Sequence, residues 1–170
     1  MVKTQQLLRF SGLAAVLGGL GRMASALPLP LDQASQEALW TVIDILFTFG
    51  LIGIYLVRAE ALGFLGLAAF VVAMAALSFI GGPDADVFGF STYQEGAMTL
   101  AIAMAGLSIA WIRTGQKPIA PPALWFGSIV AAGLLGMVPA AADYGFMAAG
   151  LLFGAGFVAA GWDLVSRSGQ

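Results

Sequence analysis

Long apolar runs separated by short polar breaks set the pattern of this chain. The runs cover approximately residues 6–27, 38–57, 61–80, 94–112, 122–138 and 143–165. A helix needs roughly 20 apolar residues to cross the hydrocarbon core of a bilayer, and a run of that length with few charges is read as a spanning helix. The breaks carry the residues that end helices. Pro28, Pro30, Asp32 and Glu37 follow the first run, and Arg58-Ala59-Glu60 follows the second. Gly81-Gly82-Pro83 opens a polar loop that lasts to Tyr93, Lys117, Pro118 and Pro121 precede the fifth run, and Pro139 closes it. The pattern predicts an all-α integral membrane protein: one transmembrane domain over residues 1–170, a bundle of six helices with short loops, a short tail and no soluble domain.

Composition agrees. Hydrophobic residues make up 60% of the chain and charged residues 9%, against about 25% charged in soluble domains. The mean hydropathy is +0.94. The expected partner is therefore the lipid bilayer, with a homo-oligomer or a larger membrane complex as the setting. The net charge of −2 and the lack of a basic patch argue against nucleic acid. There is no cysteine and no histidine, so thiol chemistry, the commonest general base and the usual zinc and haem ligands are missing. No metal and no cofactor is expected.

Orientation follows from the basic residues, which concentrate in cytoplasmic loops. With the N-terminus inside, Lys3, Arg9, Arg58, Arg113, Lys117 and Arg167 all fall on the cytoplasmic side. Asp32, Glu37, Asp84, Asp86, Glu95 and Asp143 then fall at the outer side or the outer ends of spans. An even number of spans places both termini in the cytoplasm of a multi-pass protein of the inner or plasma membrane. Trp40, Trp111, Trp125 and Trp162 lie near predicted span ends, as in aromatic belts. A competing reading takes Lys3, Arg9 and Ala24-Ser25-Ala26 as a cleavable secretory signal. Arg22, just before the cleavage motif, argues against it.

A weak internal echo suggests a three-plus-three inverted repeat, an arrangement common in transporters. Ala38-Leu39-Trp40 matches Ala123-Leu124-Trp125, Gly50 and Gly53 match Gly133 and Gly136, and Gly63-Phe64 matches Gly145-Phe146, at offsets near 83 residues. Ala, Leu and Gly are so abundant that chance also produces such matches.

Two charges lie well inside predicted spans, Arg22 and Asp44. They sit roughly 7–9 Å from the outer ends of consecutive antiparallel helices, so the depths match and an intramembrane pair is expected. Its bland role is to fix the first hairpin; its functional role is a proton or ion relay through Asp44, which an arginine partner would oppose by holding the acid ionised. Thr41, Asp44, Thr48 and Tyr55 share one polar stripe of span two, and Ser11, Ala15, Gly18, Arg22 and Ser25 share a small-residue face of span one. Such faces serve helix packing or line a polar path along spans one, two and four. Gly150 and Gly154 form a GxxxG, read as packing within the chain in preference to a dimer seam. Asp84-Ala85-Asp86 is read as a solvated turn in preference to a metal site. Tyr93, Glu95, Thr99, Asp143 and Tyr144 are candidates for the rim of an outer vestibule.

No catalytic residues are assigned. A serine nucleophile has no histidine base, and an intramembrane aspartyl site needs two acids. The first functional expectation is a non-catalytic accessory, assembly or sensing component that works through helix contacts. A transporter or channel for a small solute, ion or proton is the alternative, and a lipid-acting membrane enzyme the third.

Overall fold

The computed structural model describes residues 4–81, 86–87 and 89–169. Among them, six α-helices carry nearly everything: α1 (Thr4–Ser25), α2 (Gln33–Leu56), α3 (Ala59–Ile80), α4 (Thr92–Arg113), α5 (Ala120–Gly136) and α6 (Ala142–Arg167). A 3-10 turn, Pro139–Ala141, joins α5 to α6. Five helices are long and apolar enough to cross a membrane. The exception is α5, whose 17 residues reach about 25 Å at 1.5 Å per residue.

Local chemistry sets the helix starts. Asp32 caps α2 by accepting the Ser35 amide at 2.7 Å, and Ser91 caps α4 by accepting the Gln94 amide at 3.1 Å. Each satisfies one of the amides that the first helical turn leaves unpaired. Pro121 and Pro122 occupy the first turn of α5, where a missing N–H costs nothing. The loop expected between α3 and α4 holds a small hairpin, β1 (Asp86–Val87) and β2 (Phe90–Ser91), pairing Asp86 with Ser91 and Val87 with Phe90. Asp84 and Ala85 of the Asp-Ala-Asp motif lie outside the described residues. Among the described residues no acidic cluster could hold a metal ion.

The helices form a closed ring in chain order, each packing on its sequence neighbours and α6 returning to α1. The ring is apolar outside as well as inside. Phe64 is 84% exposed and Ile102 70%, and Leu17, Val71 and Phe79 are exposed as well. Water would penalise that surface and lipid would not.

Glycines mark the seams. A Cβ added to Gly19 would lie 2.5 Å from the Gly154 carbonyl oxygen, and one added to Gly161 would lie 2.5 Å from that of Gly12. Here α1 and α6 touch backbone to backbone, and the Gly150/Gly154 motif is used within the chain: Gly150 faces Ala26 and the Arg22 guanidinium. A Cβ at Gly50 would meet Ala15 Cβ at 2.8 Å, so the small face of α1 also receives α2. Such approaches replace the hydrophobic drive that lipid removes. Gly19→Ala is expected to cost about 1–3 kcal/mol by overpacking. Gly133→Ala, where nothing lies within 4 Å, is expected to stabilise by about 0.5–1 kcal/mol through helix propensity. Thermal unfolding of the two variants side by side checks the contrast.

The residues that suggested an internal repeat occupy unlike environments. Gly50 is pressed against α1 while Gly133 faces open space. Gly63 breaks the start of α3 with φ 59° and ψ −158°, whereas Gly145 is helical and packed on Leu135 and the α5 backbone. Trp40 is half-buried, and Trp125 is fully buried.

Candidate functional site

Inside the ring lies a cavity of about 340 Å3 to which all six helices contribute. Its position follows from which helix ends meet there. Arg22 comes from the end of α1, Trp40 and Asp44 from the first half of α2, Ile80 from the end of α3, Tyr93 from the start of α4, and Ala132 and Phe146 from the α5–α6 connection. The chamber therefore occupies the end of the bundle where α1 turns into α2, α3 into α4 and α5 into α6. At its mouth Trp40 and Tyr93 stack, with centroids 6.0 Å apart and planes 25° apart. The lining is chiefly apolar, and the volume is at the small end of the about 300–1,000 Å3 usual for small-molecule sites.

Arg22 and Asp44 are the two charges on this wall. They are close enough to interact electrostatically but form no ion pair. Among the described residues the ion pairs are Arg58–Asp163 and Arg167–Asp163. The expected direct pair between α1 and α2 is thus opened into two facing groups. The reason is where each is held. The Arg22 guanidinium lies over Gly150 on α6, 3.7 Å from where a Cβ would be, and its Nη1 reaches Ser25 Oγ at 3.5 Å. Asp44 lies where α2 passes the end of α3, its Cβ 3.9 Å from the Cβ position of Gly81. The Asp44 carboxylate accepts no hydrogen bond among the described residues, and the buried indole N–H of Trp40 has no partner either.

The rest of the expected stripe does not line a path. Thr41 donates to the Glu37 carbonyl and Thr48 to the Asp44 carbonyl, each at 2.9 Å, so both hydroxyls fold back on α2. Tyr55 stacks on Phe70 of α3 at 4.2 Å, with planes 8° apart. Of the vestibule candidates, Tyr93 lines the chamber; Thr99 is half-buried outside its lining, and Glu95, Asp143 and Tyr144 are exposed.

Beneath the chamber an aromatic floor closes the bundle. Phe157 stacks on Phe47 at 4.1 Å and meets Trp125 at 5.1 Å and Phe153 at 5.3 Å. Trp111 meets Trp125 edge-on at 5.9 Å. Below the floor lies a charged lock that sequence reasoning missed. Arg58, between α2 and α3, is 1% exposed. Its Nη2 donates to Asp163 Oδ2, its Nη1 to the Ile54 carbonyl at 3.3 Å, and its guanidinium carbon sits 3.9 Å over the Trp111 ring. Burial pushes the guanidinium below the ordinary arginine range, and Asp163 opposes that. Arg167 Nε donates to the same Asp163 oxygen, Oδ2, at 2.9 Å, and its Nη2 donates to the Lys117 carbonyl at 3.2 Å. Counting Arg58 as a loop cation concealed this role. The available signal was Asp163, an acid two residues before the end of a predicted span with no partner on its own helix except Arg167.

The tryptophans need the same correction. Trp111 and Trp125 are fully buried in floor and lock, and Trp40 stands at the chamber mouth. Trp162, 68% exposed, faces outward as a belt residue would. No family model, no curated protein and no solved structure matches this chain.

Proposed function

We propose that the chain is a multi-pass protein of the cell membrane, both termini cytoplasmic, that acts without catalysis as a sensing component, receiving a small molecule from the outer side. The observation that carries the reading is a chamber lined by all six helices and backed by Phe47, Phe153, Phe157 and Trp125, with the Arg58–Asp163 pair beyond them; on this reading its mouth is the end with the three outer connections. A cavity with charged groups on an apolar wall and a closed floor suits capture. Occupancy would bear on six helices at once, which gives a route from ligand to partner contacts. The lining includes one acid, Asp44, where an aspartyl mechanism needs two.

The wild-type chain has no cysteine, so single cysteines test this directly. Ala34→Cys is expected to react with a membrane-impermeant thiol reagent added outside intact cells, and Ser168→Cys only after permeabilisation. Ala97→Cys, on the chamber wall, is expected to react from outside, and Leu107→Cys, below the floor, from neither side. Labelling of Ala34→Cys and Ser168→Cys from one side overturns the orientation. External labelling of Leu107→Cys as fast as Ala97→Cys overturns the blind chamber.

A transporter is the second reading, favoured by the backbone-to-backbone seam of α1 and α6, a glycine-rich contact that a moving helix could use. It requires Leu107→Cys to become reactive from the cytoplasmic side when the chamber is filled. A three-plus-three inverted repeat would belong to this reading, although Gly50 and Gly133, which it equates, have unlike surroundings.

A further inference from the structure

Each charge on the chamber wall is unsatisfied in its own way. Among the described residues the one side-chain partner of the Arg22 guanidinium is Ser25 at 3.5 Å, a marginal contact. Among the described residues the Asp44 carboxylate has no hydrogen bond or ion pair, and the Trp40 indole N–H adds an unpartnered donor. The wall between them is apolar: Ile43, Phe47, Leu100, Ile129 and Phe153. Charges in such surroundings are costly unless paired. Two opposite charges on neighbouring helices would ordinarily collapse onto each other. Here they form no ion pair, and the Arg22 guanidinium packs over Gly150 of α6 instead.

An anion would satisfy Arg22 and leave Asp44, a cation the reverse, and a neutral apolar molecule would leave both. Resting on the capture reading above, we infer that the chamber takes a small zwitterion with an apolar body. Its anionic group meets Arg22 and the Trp40 N–H, its cationic group meets Asp44, and its apolar part lies against Phe47 and Phe153. The same chemistry is offered by a free amphipathic zwitterion, such as an amino acid with an aromatic side chain, and by the headgroup of a zwitterionic lipid.

The test uses the full chain carrying Ala97→Cys, purified in a maltoside detergent, and measures protection of that cysteine from a thiol reagent. The probes are L-phenylalanine, phenethylamine, 3-phenylpropionate and 2-phenylethanol, which share a body and differ in charge, with dihexanoylphosphatidylcholine as the lipid arm. A zwitterion is expected to protect at concentrations on the order of ten- to a hundredfold lower than either singly charged analogue, the value of one charge-assisted hydrogen bond. Arg22→Met should abolish the preference over phenethylamine, and Asp44→Asn the preference over 3-phenylpropionate. Trp40→Phe, which keeps the ring and removes the N–H, should weaken L-phenylalanine and 3-phenylpropionate alike and spare phenethylamine. This holds even where a charge variant fails to fold. Protection by phosphatidylcholine alone assigns the headgroup, and protection by phenylalanine alone assigns a free solute; either supports the inference. Equal protection by all four phenyl probes overturns the zwitterion and leaves the chamber as a binding site. No protection by any probe overturns both, while external reactivity of Ala97→Cys would still stand for the topology.

Discussion

Replacing Asp163 with asparagine is expected to destabilise the protein by about 3–5 kcal/mol, the cost of leaving a buried charge unpaired. The guanidinium of Arg58 is fully buried, its Nε already lacks a partner, and Asp163 is its one counter-charge. The converse change is milder. Arg58→Met leaves Asp163 with Arg167 at 2.9 Å and with 19% of its side chain exposed, and the methionine keeps much of the packing on Trp111. Arg58→Met combined with Asp163→Asn should cost less than Asp163→Asn alone, because no buried charge is orphaned. A double-mutant cycle by thermal unfolding in detergent reads the coupling. Additive losses would show that the lock contributes packing and no pairing.

The second large effect is expected at Phe157. Truncation to alanine removes a ring that is 1% exposed and contacts Phe47, Trp125 and Phe153. Phe→Ala changes in cores cost about 3–5 kcal/mol, most where the surroundings cannot collapse. The floor is poorly able to collapse, since Trp125 is already wedged against Gly156, where a Cβ would sit 2.5 Å from the indole. The space therefore joins the chamber above. Leu107→Cys, unreactive in the parent, should become reactive toward an external thiol reagent in the Phe157→Ala background. A stable variant whose cysteine stays silent would place the seal lower, at Arg58 and Trp111.

Much of the fold is legible in the sequence, because each helix is delimited by residues whose chemistry ends helices. The break at Pro28–Asp32 falls between α1 and α2, while those at Arg58–Glu60 and Pro118–Pro122 run into the first turns of α3 and α5. Arg22 and Asp44 could be placed at one depth by counting residues. Which face each helix turns inward was not legible, for a physical reason. When the exterior is as apolar as the core, hydrophobic periodicity carries no inside–outside signal, and Leu51, fully buried, looks like Leu17, 57% exposed. The glycines hold that information in their spacing, but only as pairs, and the partner of each lies on another helix. The lock escaped for a related reason: Arg58 and Asp163 are 105 residues apart, and nothing local to either names the other. The opening of the Arg22–Asp44 pair goes with the packing of Arg22 over Gly150 of α6, again distant in sequence.

On the membrane-spanning reading proposed above, the shortness of α5 has a consequence for the surrounding lipid. At about 25 Å it falls roughly 5 Å short of a typical hydrocarbon core of about 30 Å. The exposed Leu134, Met137 and Val138 at its end extend the greasy surface only slightly. A bilayer meeting this flank must thin locally, at a cost of fractions of a kcal/mol per Å of mismatch. The protein is thus lopsided in its fit to lipid, with its longest helix, α6, beside its shortest. Thin bilayers would accommodate the α5 side with the least deformation, and thick, sterol-rich ones would disfavour it. In thick bilayers, placing a second molecule against that flank would relieve the strain.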